Sequence, residues 1–173
     1  MGGDKSIIKM SRGERNNNPL NIRHTGDQWQ GARIEQTDKE FVQFQSMEYG
    51  YRAAWKILQS YFDRFRRKRI PFTIRTIIYR WAPPEDGNAT EAYIRKVIQL
   101  SGIGGKENLL PPNNVNSYLR LSRLLATMTC VECGIPLNRV SYEAIYKSYR
   151  MAFPQNTQAL DEWLRMEDEY RDW

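Results

Sequence analysis

A polar, asparagine-rich run near the start of the chain constrains its folding more than any other segment. Residues 15–23 read Arg-Asn-Asn-Asn-Pro-Leu-Asn-Ile-Arg, so four asparagines, one proline and two arginines fall within nine positions. Asparagine side chains bond to their own main chain and tolerate left-handed backbone angles, and proline fixes one φ angle. The run therefore predicts a rigid polar loop leading into a short strand. Loops held stiff often carry function, and an asparagine-rich turn without a functional role is the alternative.

Alternating apolar and polar residues follow this loop. A period of two is typical of strands that bury one face. The pattern predicts a small three-stranded antiparallel sheet near the N-terminus, with turns at residues 26–27 and 37–39. The predicted strands are residues 20–23, 32–35 and 41–45.

Apolar residues in the rest of the chain recur at helical spacing. Ser46 is the predicted N-cap of a long aromatic helix that Pro71 ends, and Thr73 is predicted to cap a shorter one. Gly102 and Gly134 are predicted to follow the ends of later helices, because glycine readily adopts the left-handed cap conformation. The predicted helices cover roughly residues 47–70, 74–81, 90–101, 114–133, 141–152 and 157–171.

These elements predict an α+β fold that is mostly helical, with its small antiparallel sheet near the N-terminus. At 173 residues the chain is long enough to bury a core of its own. We expect a flexible N-terminal tail over residues 1–13 and a single domain over residues 14–173. The last part of that domain, from about residue 136 to 173, is predicted to be a C-terminal helical extension.

The chain is basic, with a formal net charge of +6. A basic surface attracts polyanions over long range, so an anionic polymer is an expected partner. The densest group of cations lies at the end of the first long helix, where cations also favour the helix dipole. A solvated helix end without a partner is the alternative. This basic cluster consists of Arg64, Arg66, Arg67, Lys68 and Arg69.

The sequence argues against a membrane protein and against a metal protein. No apolar run approaches the roughly 20 residues that a membrane-spanning helix needs, and residues 1–6 lack the apolar core of a signal peptide. The one histidine, His24, is far in sequence from Cys130 and Cys133, so a four-ligand zinc site is not expected. We expect two free thiols and neither a metal nor a cofactor.

Six short motifs occur in one order along the chain and carry a family resemblance. They are Asn-Asn-Pro-x-Asn-Ile-Arg at 17–23, Trp-x-Gly at 29–31, Phe-x-x-Phe at 41–44, Glu-x-Gly-x-Arg-Ala at 48–53, Trp-Ala-Pro at 81–83 and Asn-x-Thr-x-x-Tyr at 88–93. Over roughly residues 12–135 this order resembles a family of small phage and prophage proteins, often labelled virion structural proteins. It is more distantly similar to lysozyme-type peptidoglycan hydrolases of the glucosaminidase branch, which have an Asn-Asn-x-x-Gly-Ile-Lys loop before a Trp-Gly and an aromatic strand. The second resemblance implies a lysozyme-like architecture, with a cleft between a small sheet and a helical lobe.

Cleavage of a glycan needs a carboxylic acid that stays protonated near neutral pH, and often a second carboxylate as nucleophile or base. Glu48 is the first candidate for the acid, because it belongs to the Glu-x-Gly-x-Arg-Ala motif. Its alternative role is a helix-start carboxylate bonded to backbone amides, which would lower its pKa. Glu14 is the second candidate, with a surface charge as the alternative. In the lysozyme-like hydrolases the catalytic glutamate ends a long helix before the asparagine loop, whereas only 13 residues precede Glu14. Asp38, in the turn before the aromatic strand, is the candidate second carboxylate, or a solvated turn residue.

Polar and aromatic residues around the same motifs are candidates for binding the substrate. The amides and the arginine of the loop are predicted to shape the cleft, and two tryptophans are predicted to stack on sugar rings. Core packing is the alternative for the tryptophans. The candidates are Asn17, Asn18, Asn21, Arg23, Trp29 and Trp81.

The sequence therefore favours a peptidoglycan-degrading glycosidase of phage or prophage origin, acting on wall glycan by general-acid catalysis. The first alternative is a non-catalytic virion or interaction protein that binds a polyanion or a protein partner. The second is a delivered antibacterial toxin that degrades the wall. In each case we expect synthesis in the bacterial cytoplasm and delivery with a virion, by lysis or by a secretion system.

Overall fold

The computed structural model describes residues 9–171, with side chains described as far as Asp168. Within that range the chain is built from seven α-helices joined by loops and single 3₁₀ turns. No described helix combines the length and the apolar character that a membrane crossing requires. The helices are α1 (Arg12–Arg15), α2 (Met47–Arg67), α3 (Ile74–Trp81), α4 (Thr90–Ser101), α5 (Tyr118–Cys133), α6 (Tyr142–Ala152) and α7 (Thr157–Arg171).

The helix ends follow the local signals in the sequence, and the predicted helices α2 to α7 are confirmed. Thr73 caps α3, since its side chain accepts a hydrogen bond from the Thr76 amide, and Thr76 bonds back to the Thr73 amide. Gly102 and Gly134 follow α4 and α5 with φ angles of 70° and 64°, the left-handed conformation that glycine adopts without strain. Residues 1–8 of the predicted tail lie outside the described residues, and α1 begins at Arg12.

We expect Thr73→Ala to lower the free energy of unfolding by about 1 kcal/mol, because the first-turn amides of α3 lose their cap. For a chain of this size that is a fall in melting temperature of roughly 2–4 °C. Ser46→Ala is the matched control, since Ser46 precedes α2 but its side chain makes no capping bond. Equal losses in both variants, measured by thermal denaturation, would contradict a specific role for the Thr73 cap.

The core is centred on α2, which packs against α6. Tyr51, Trp55 and Leu58 of α2 are at most 1% exposed. The Trp55 indole donates a hydrogen bond of 3.0 Å to the Ser148 hydroxyl and meets the Tyr149 ring edge to face at 5.0 Å. On the other side α4 packs against both α3 and α5. The helical extension predicted from residue 136 therefore supplies, in α6, the principal packing partner of α2.

The prediction of an α+β fold with a three-stranded sheet is wrong. About 60% of the chain is helical and 2% is extended, and residues 9–171 contain no sheet. The segments predicted as strands meet only at two isolated antiparallel bridges, Arg23 with Phe41 and Ala32 with Phe44.

Side-chain hydrogen bonds satisfy backbone groups that the hydrogen-bond ladder of a β-sheet would otherwise satisfy. The Gln43 amide oxygen accepts bonds from the backbone amides of Thr37 and Asp38, at 2.6 and 3.2 Å. The Arg33 guanidinium donates to the Phe44 carbonyl at 2.9 Å. Left-handed residues at Asn21, Gly26 and Gly31 turn the chain before a strand can lengthen. Alternating hydropathy therefore marked a folded, half-buried segment but not a sheet.

The asparagine loop, residues 16–23, lies against both α2 and α5 at very close range. A Cβ atom added at Gly50 of α2 would lie 2.2 Å from the Asn17 carbonyl oxygen and 2.8 Å from the Pro19 ring. A Cβ added at Gly13 of α1 would lie 2.8 Å from the Cys133 sulfur of α5 and 2.9 Å from the Asn18 carbonyl oxygen. Glycine at these two positions allows the loop to approach α2 and allows α1 to approach both the loop and α5, and these contacts position the site described next.

Candidate functional site

A cleft of about 1080 Å³ opens between the asparagine loop and the α2–α3 pair. This volume lies at the upper end of the range found for ligand sites, roughly 300–1000 Å³. One wall comes from the loop and the segment after it, residues 21–29. The opposite wall comes from the second half of α2 and the end of α3. Glu132 of α5 also lines the cleft. The residues from α2 and α3 are Lys56, Ile57, Ser60, Tyr61, Arg64, Arg80 and Trp81.

The asparagine loop owes its shape to its own side chains. The fully buried Asn18 donates to the carbonyls of Ile22 and Val42, both at 2.9 Å, and accepts from the Ile22 amide at 2.8 Å. Asn17 donates to the Phe44 carbonyl at 3.3 Å and has a φ angle of 50°. The expectation that these amides bond to backbone groups is confirmed for Asn17 and Asn18. Both side chains support the loop from inside and do not line the cleft.

Asn21 differs from its neighbours because its side chain bonds to α5, 111 residues later in the chain. Its side-chain amide donates to the Glu132 carboxylate at 3.0 Å and to the Glu132 backbone carbonyl at 3.2 Å. The Tyr93 hydroxyl of α4 donates to the other carboxylate oxygen at 3.2 Å. Glu132 is half-buried, so its carboxyl group is held by neighbours from two directions while it remains part of the cleft lining.

Burial raises the pKa of Glu132 above its ordinary value, although several neighbouring groups act to lower it. Hydrogen bonds from Asn21, Tyr93 and Trp81 favour the charged form, as does the positive charge of Arg23, yet desolvation outweighs them. Glu132 is also the penultimate residue of α5, near the negative end of the helix dipole, where a carboxylate is disfavoured. A carboxyl group in this setting is suited to hold a proton at a pH where an exposed glutamate has lost it.

A second, smaller pocket of about 330 Å³ lies on the other side of Glu132. Ala89 and Ala92 of the α4 region, Tyr93 and Val131 form its mainly apolar lining. Burial raises the pKa of Tyr93 well above its usual value, so the phenol stays protonated and can keep donating to Glu132. Glu132 therefore lies at a junction between two concave surfaces, which is where a group that acts on an extended ligand would be expected.

Aromatic rings are available along the cleft. The Trp81 ring meets the Tyr61 ring at a centroid distance of 6.2 Å, and both line the cleft. Trp29 lines the opposite wall but is half-buried and packs against the core, so it is not the exposed platform that its polar neighbours suggested. The Arg23 guanidinium lies 4.8 Å from the centre of the Phe41 ring. Of the predicted binding residues, the fold thus brings Asn21, Arg23, Trp29 and Trp81 to one cleft.

The three predicted catalytic carboxylates lie elsewhere. Glu48 is half-buried in the first turn of α2 and is not among the cleft-lining residues. Glu14 is 8% exposed, bonds to the Ser11 amide in a capping box, and forms an ion pair of 2.8 Å with Arg139. None of the three side chains shares the cleft with Glu132.

Asp38 is held by the loop on which it lies. Arg12 contacts its carboxylate at 2.7 Å, and Asn16 and two backbone amides also donate to it. The Arg12 hydrogen bond, with the other donors, holds the pKa of Asp38 far below its usual range. Asp38 is therefore charged at any pH near neutrality, which is compatible with a base or an anchor and unsuited to a general acid.

Glu132 is the functional candidate that sequence reasoning missed. It stands between the two cysteines of a Cys-Val-Glu-Cys segment, which drew attention to the thiols instead. Both thiols are free and buried, as expected, and the Cys133 thiol donates to the Pro19 carbonyl. A signal was present, because Glu132 is the only charged residue between positions 124 and 133 of an otherwise apolar helix. An isolated charge near the end of a buried helix is unusual unless it has partners.

Comparison with known proteins gives one informative relative. No family profile matches the chain. Protein P5 of Pseudoalteromonas phage PM2 is 34% identical to it over 150 residues, which is 85% of this chain and 85% of that protein. The similarity therefore covers most of the chain, and it supports the phage resemblance read from the motifs.

Proposed function

This chain belongs to the same family as Protein P5 of Pseudoalteromonas phage PM2, and from that premise we propose that it is a phage-type protein that binds bacterial wall glycan in its cleft and cleaves it with Glu132 as general acid. The observation that carries the proposal is the Glu132 carboxyl group. It lies at the junction of two concave surfaces, and burial raises its pKa. The glycosidase predicted from the motifs is thereby kept, with a different acid.

The proposed reaction begins with the proton carried by the Glu132 carboxyl group. Protonated Glu132 donates to the oxygen of the scissile glycosidic bond, so that this oxygen leaves as an alcohol. The sugar left behind develops positive charge and is captured by water. Asp27 and Asp86 are the other carboxylates in the cleft lining, and both are exposed. We assign the second carboxylate role, activating the water or stabilising the cation, to one of these two.

The binding roles follow from the two walls. Trp81, which is half-buried, is the aromatic residue of the helical wall that we assign to a sugar ring, since the Tyr61 ring stacks on Phe65 and lies under the Arg80 guanidinium. Arg23 offers hydrogen-bond donors from the loop wall, whereas both side-chain N–H groups of Asn21 are already donated to Glu132. Asn21 has a positioning role, since it fixes the Glu132 carboxylate by a bond of 3.0 Å. Phage membership supports delivery with a virion or by lysis of the host as the route by which the protein would reach the wall.

The proposal is tested by incubating the purified protein with sacculi from Gram-negative and Gram-positive cells. We expect release of reducing ends and soluble muropeptides, with faster release at acidic than at alkaline pH because the acid must be protonated. Heat-denatured protein is the control for contaminating hydrolases in the sacculi. An intact, folded preparation that releases nothing from any wall type would contradict the enzymatic function.

A non-catalytic phage protein is the second candidate, and one observation favours it. Asn21 bonds to the backbone as well as to the carboxylate of Glu132, so the same contact also serves as a structural tie between the loop and α5. A protein of this kind would bind glycan or a virion partner through the cleft without cleaving it. Binding to sacculi with no release of reducing ends is the result that would favour it.

A further inference from the structure

We propose that Arg64 and Arg80 form a binding subsite for an anionic group carried by the glycan, and that they thereby select charged strands over neutral ones. The proposal rests on the proposed function, because it assigns the substrate class of the same cleft. The group recognised is a carboxylate of the stem peptides attached to wall glycan. The phosphate of a secondary wall polymer has similar chemistry and is separated from it by the test.

Arg64 and Arg80 line the same cleft, and both lie near Tyr61 of the helical wall. Arg64 follows Tyr61 by three residues on α2, so the two side chains lie on the same face of that helix. Arg80 comes from the last turn of α3, and its guanidinium carbon lies 5.9 Å from the centre of the Tyr61 ring. Burial raises the pKa of the Tyr61 phenol, while the nearby charges of Arg80 and Arg64 act in the opposite direction. Both arginines are therefore close to the same phenol at the cleft surface.

The positive charge of this wall is not neutralised within the described part of the chain. Arg12, Arg75 and Arg139 each form an ion pair with a carboxylate. Neither Arg64 nor Arg80 has such a partner among the described residues, and both side chains are exposed.

The excess of positive charge over negative charge extends along the whole helical wall. Its lining residues include a third cation, Lys56, and no carboxylate. The carboxylates of the cleft lie on other elements: Asp27 on the segment after the asparagine loop, Asp86 in a 3₁₀ turn and Glu132 on α5.

Guanidinium groups suit this task because their planar fork matches a carboxylate or a phosphate, and such charge-assisted bonds are stronger than neutral ones. A strand that stacks a sugar ring on Trp81 would place the substituents of that ring beside Tyr61, and therefore beside Arg64 and Arg80. A neutral glycan could make the stacking contact but would offer neither guanidinium group an anionic partner. The wall therefore discriminates by charge as well as by ring shape.

The test compares binding of fluorescently labelled glycan strands by the full chain and its variants. The probes are strands with stem peptides, the same strands after enzymatic removal of the peptides, strands that carry a phosphodiester polymer, and neutral chito-oligosaccharides. We expect the double variant Arg64→Gln/Arg80→Gln to bind stem-peptide strands about tenfold more weakly, since two charge-assisted contacts are lost. Binding of neutral chito-oligosaccharides should change by less than about twofold, because uncharged sugars make no such contact.

The matched control is Arg66→Gln/Arg67→Gln, which removes the same charge from the same helix outside the cleft lining. At 0.15 M salt we expect it to weaken binding by less than about twofold, because screening reduces the influence of distant exposed charges. A second variant, Arg64→Lys/Arg80→Lys, keeps the charge and should recover part of the lost affinity. Equal losses in the two Gln variants, or an equal loss on neutral sugars, would overturn the subsite.

The remaining outcomes separate the subsite from the proposed function. A loss seen only with the phosphodiester strands would overturn the stem-peptide carboxylate and assign the subsite to phosphate. Binding that depends on both arginines, without any release of reducing ends, would contradict cleavage and leave the subsite standing. Cleavage that is unaffected in Arg64→Gln/Arg80→Gln would contradict the subsite alone. A wild-type protein that binds none of the probes would overturn both.

Discussion

Glu132→Gln should reduce the release of reducing ends from wall glycan by about 10²-fold or more. Glutamine has nearly the same shape: its single oxygen can keep the bond from Asn21, and its NH2 group can donate to the Tyr93 hydroxyl. It has no carboxyl proton to donate to the leaving oxygen. The fold should persist, because a neutral amide in a partly desolvated position avoids the cost of burying a charge. Rates of release and melting temperatures measured on the same preparations separate lost chemistry from lost structure.

The pH dependence gives a second measure of the same residue. Activity of the wild-type protein should fall as pH rises through the raised pKa of Glu132, because the acid is then lost. Stability should fall over the same interval, since a carboxyl group with a raised pKa in the folded state favours folding only while it is protonated. In Glu132→Gln both of these contributions should be absent. A variant that keeps full activity would show that the acid is another residue.

Glu48→Gln tests whether the general acid is Glu48, predicted from the motif, or Glu132, which lines the cleft. If the sequence-based prediction is right, this variant loses activity as steeply as Glu132→Gln is expected to. If the cleft determines the chemistry, it should retain activity and lose at most about 1 kcal/mol of stability from the helix-dipole contribution at the start of α2. Assaying the two variants side by side therefore distinguishes the two acids directly.

Gly50→Ala should destabilise the protein by about 2 kcal/mol or more, although alanine is the better helix former. In an open helix the substitution would stabilise by about 1 kcal/mol. Here the new Cβ would lie 2.2 Å from the Asn17 carbonyl oxygen, which is backbone and has no rotamer through which to escape. Overpacking of this kind costs typically 1–3 kcal/mol and sometimes more. The expected fall in melting temperature is roughly 4–8 °C.

The matched control is Gly104→Ala, where the added Cβ would meet its nearest neighbour, the Glu107 Cβ, at an ordinary 3.8 Å. That variant should melt within about 2 °C of the wild type. Gly50→Ala should also lose cleavage activity, because any shift of the asparagine loop moves Asn21 relative to Glu132. A Gly50→Ala protein as stable as the wild type would mean that the loop moves away from α2 without cost.

Local chemistry explains why the helices could be predicted from the sequence. Thr73, Gly102 and Gly134 act through contacts within a few residues, so their signals can be read without knowledge of the fold. The sheet could not be predicted in the same way. Whether an alternating segment pairs into a ladder depends on which groups satisfy its backbone amides and carbonyls. Here the Gln43 side chain accepts from a backbone amide and the Arg33 side chain donates to a backbone carbonyl.

The sequence predicted four residues that line the candidate site but not its acid. Asn21, Arg23, Trp29 and Trp81 stood out because their motifs are polar or aromatic in unusual surroundings, and all four line the cleft. Glu132 lies 111 residues from Asn21, and no local pattern connects them. Its raised pKa results from tertiary burial, which no spacing rule contains. The resemblance to lysozyme-type hydrolases implied a glutamate at the end of a long helix before the asparagine loop. The described helix before the loop, α1, has four residues, and Glu132 lies on a helix that follows the loop, so the resemblance did not point to it.

The contacts between the asparagine loop and α5 also determine when the site can form during synthesis of the chain. Asn21 with Glu132, Pro19 with Cys133 and Glu14 with Arg139 all join the beginning of the described chain to positions more than 100 residues later. A ribosome adds roughly 5–20 residues per second, so the early segments emerge seconds before their partners. Until residue 139 has emerged, the early segments lack these contacts, and the cleft lacks Glu132 until α5 has been made. Contacts of such long range are formed late in folding, so the newly made chain acquires its site only after α5 has been synthesised.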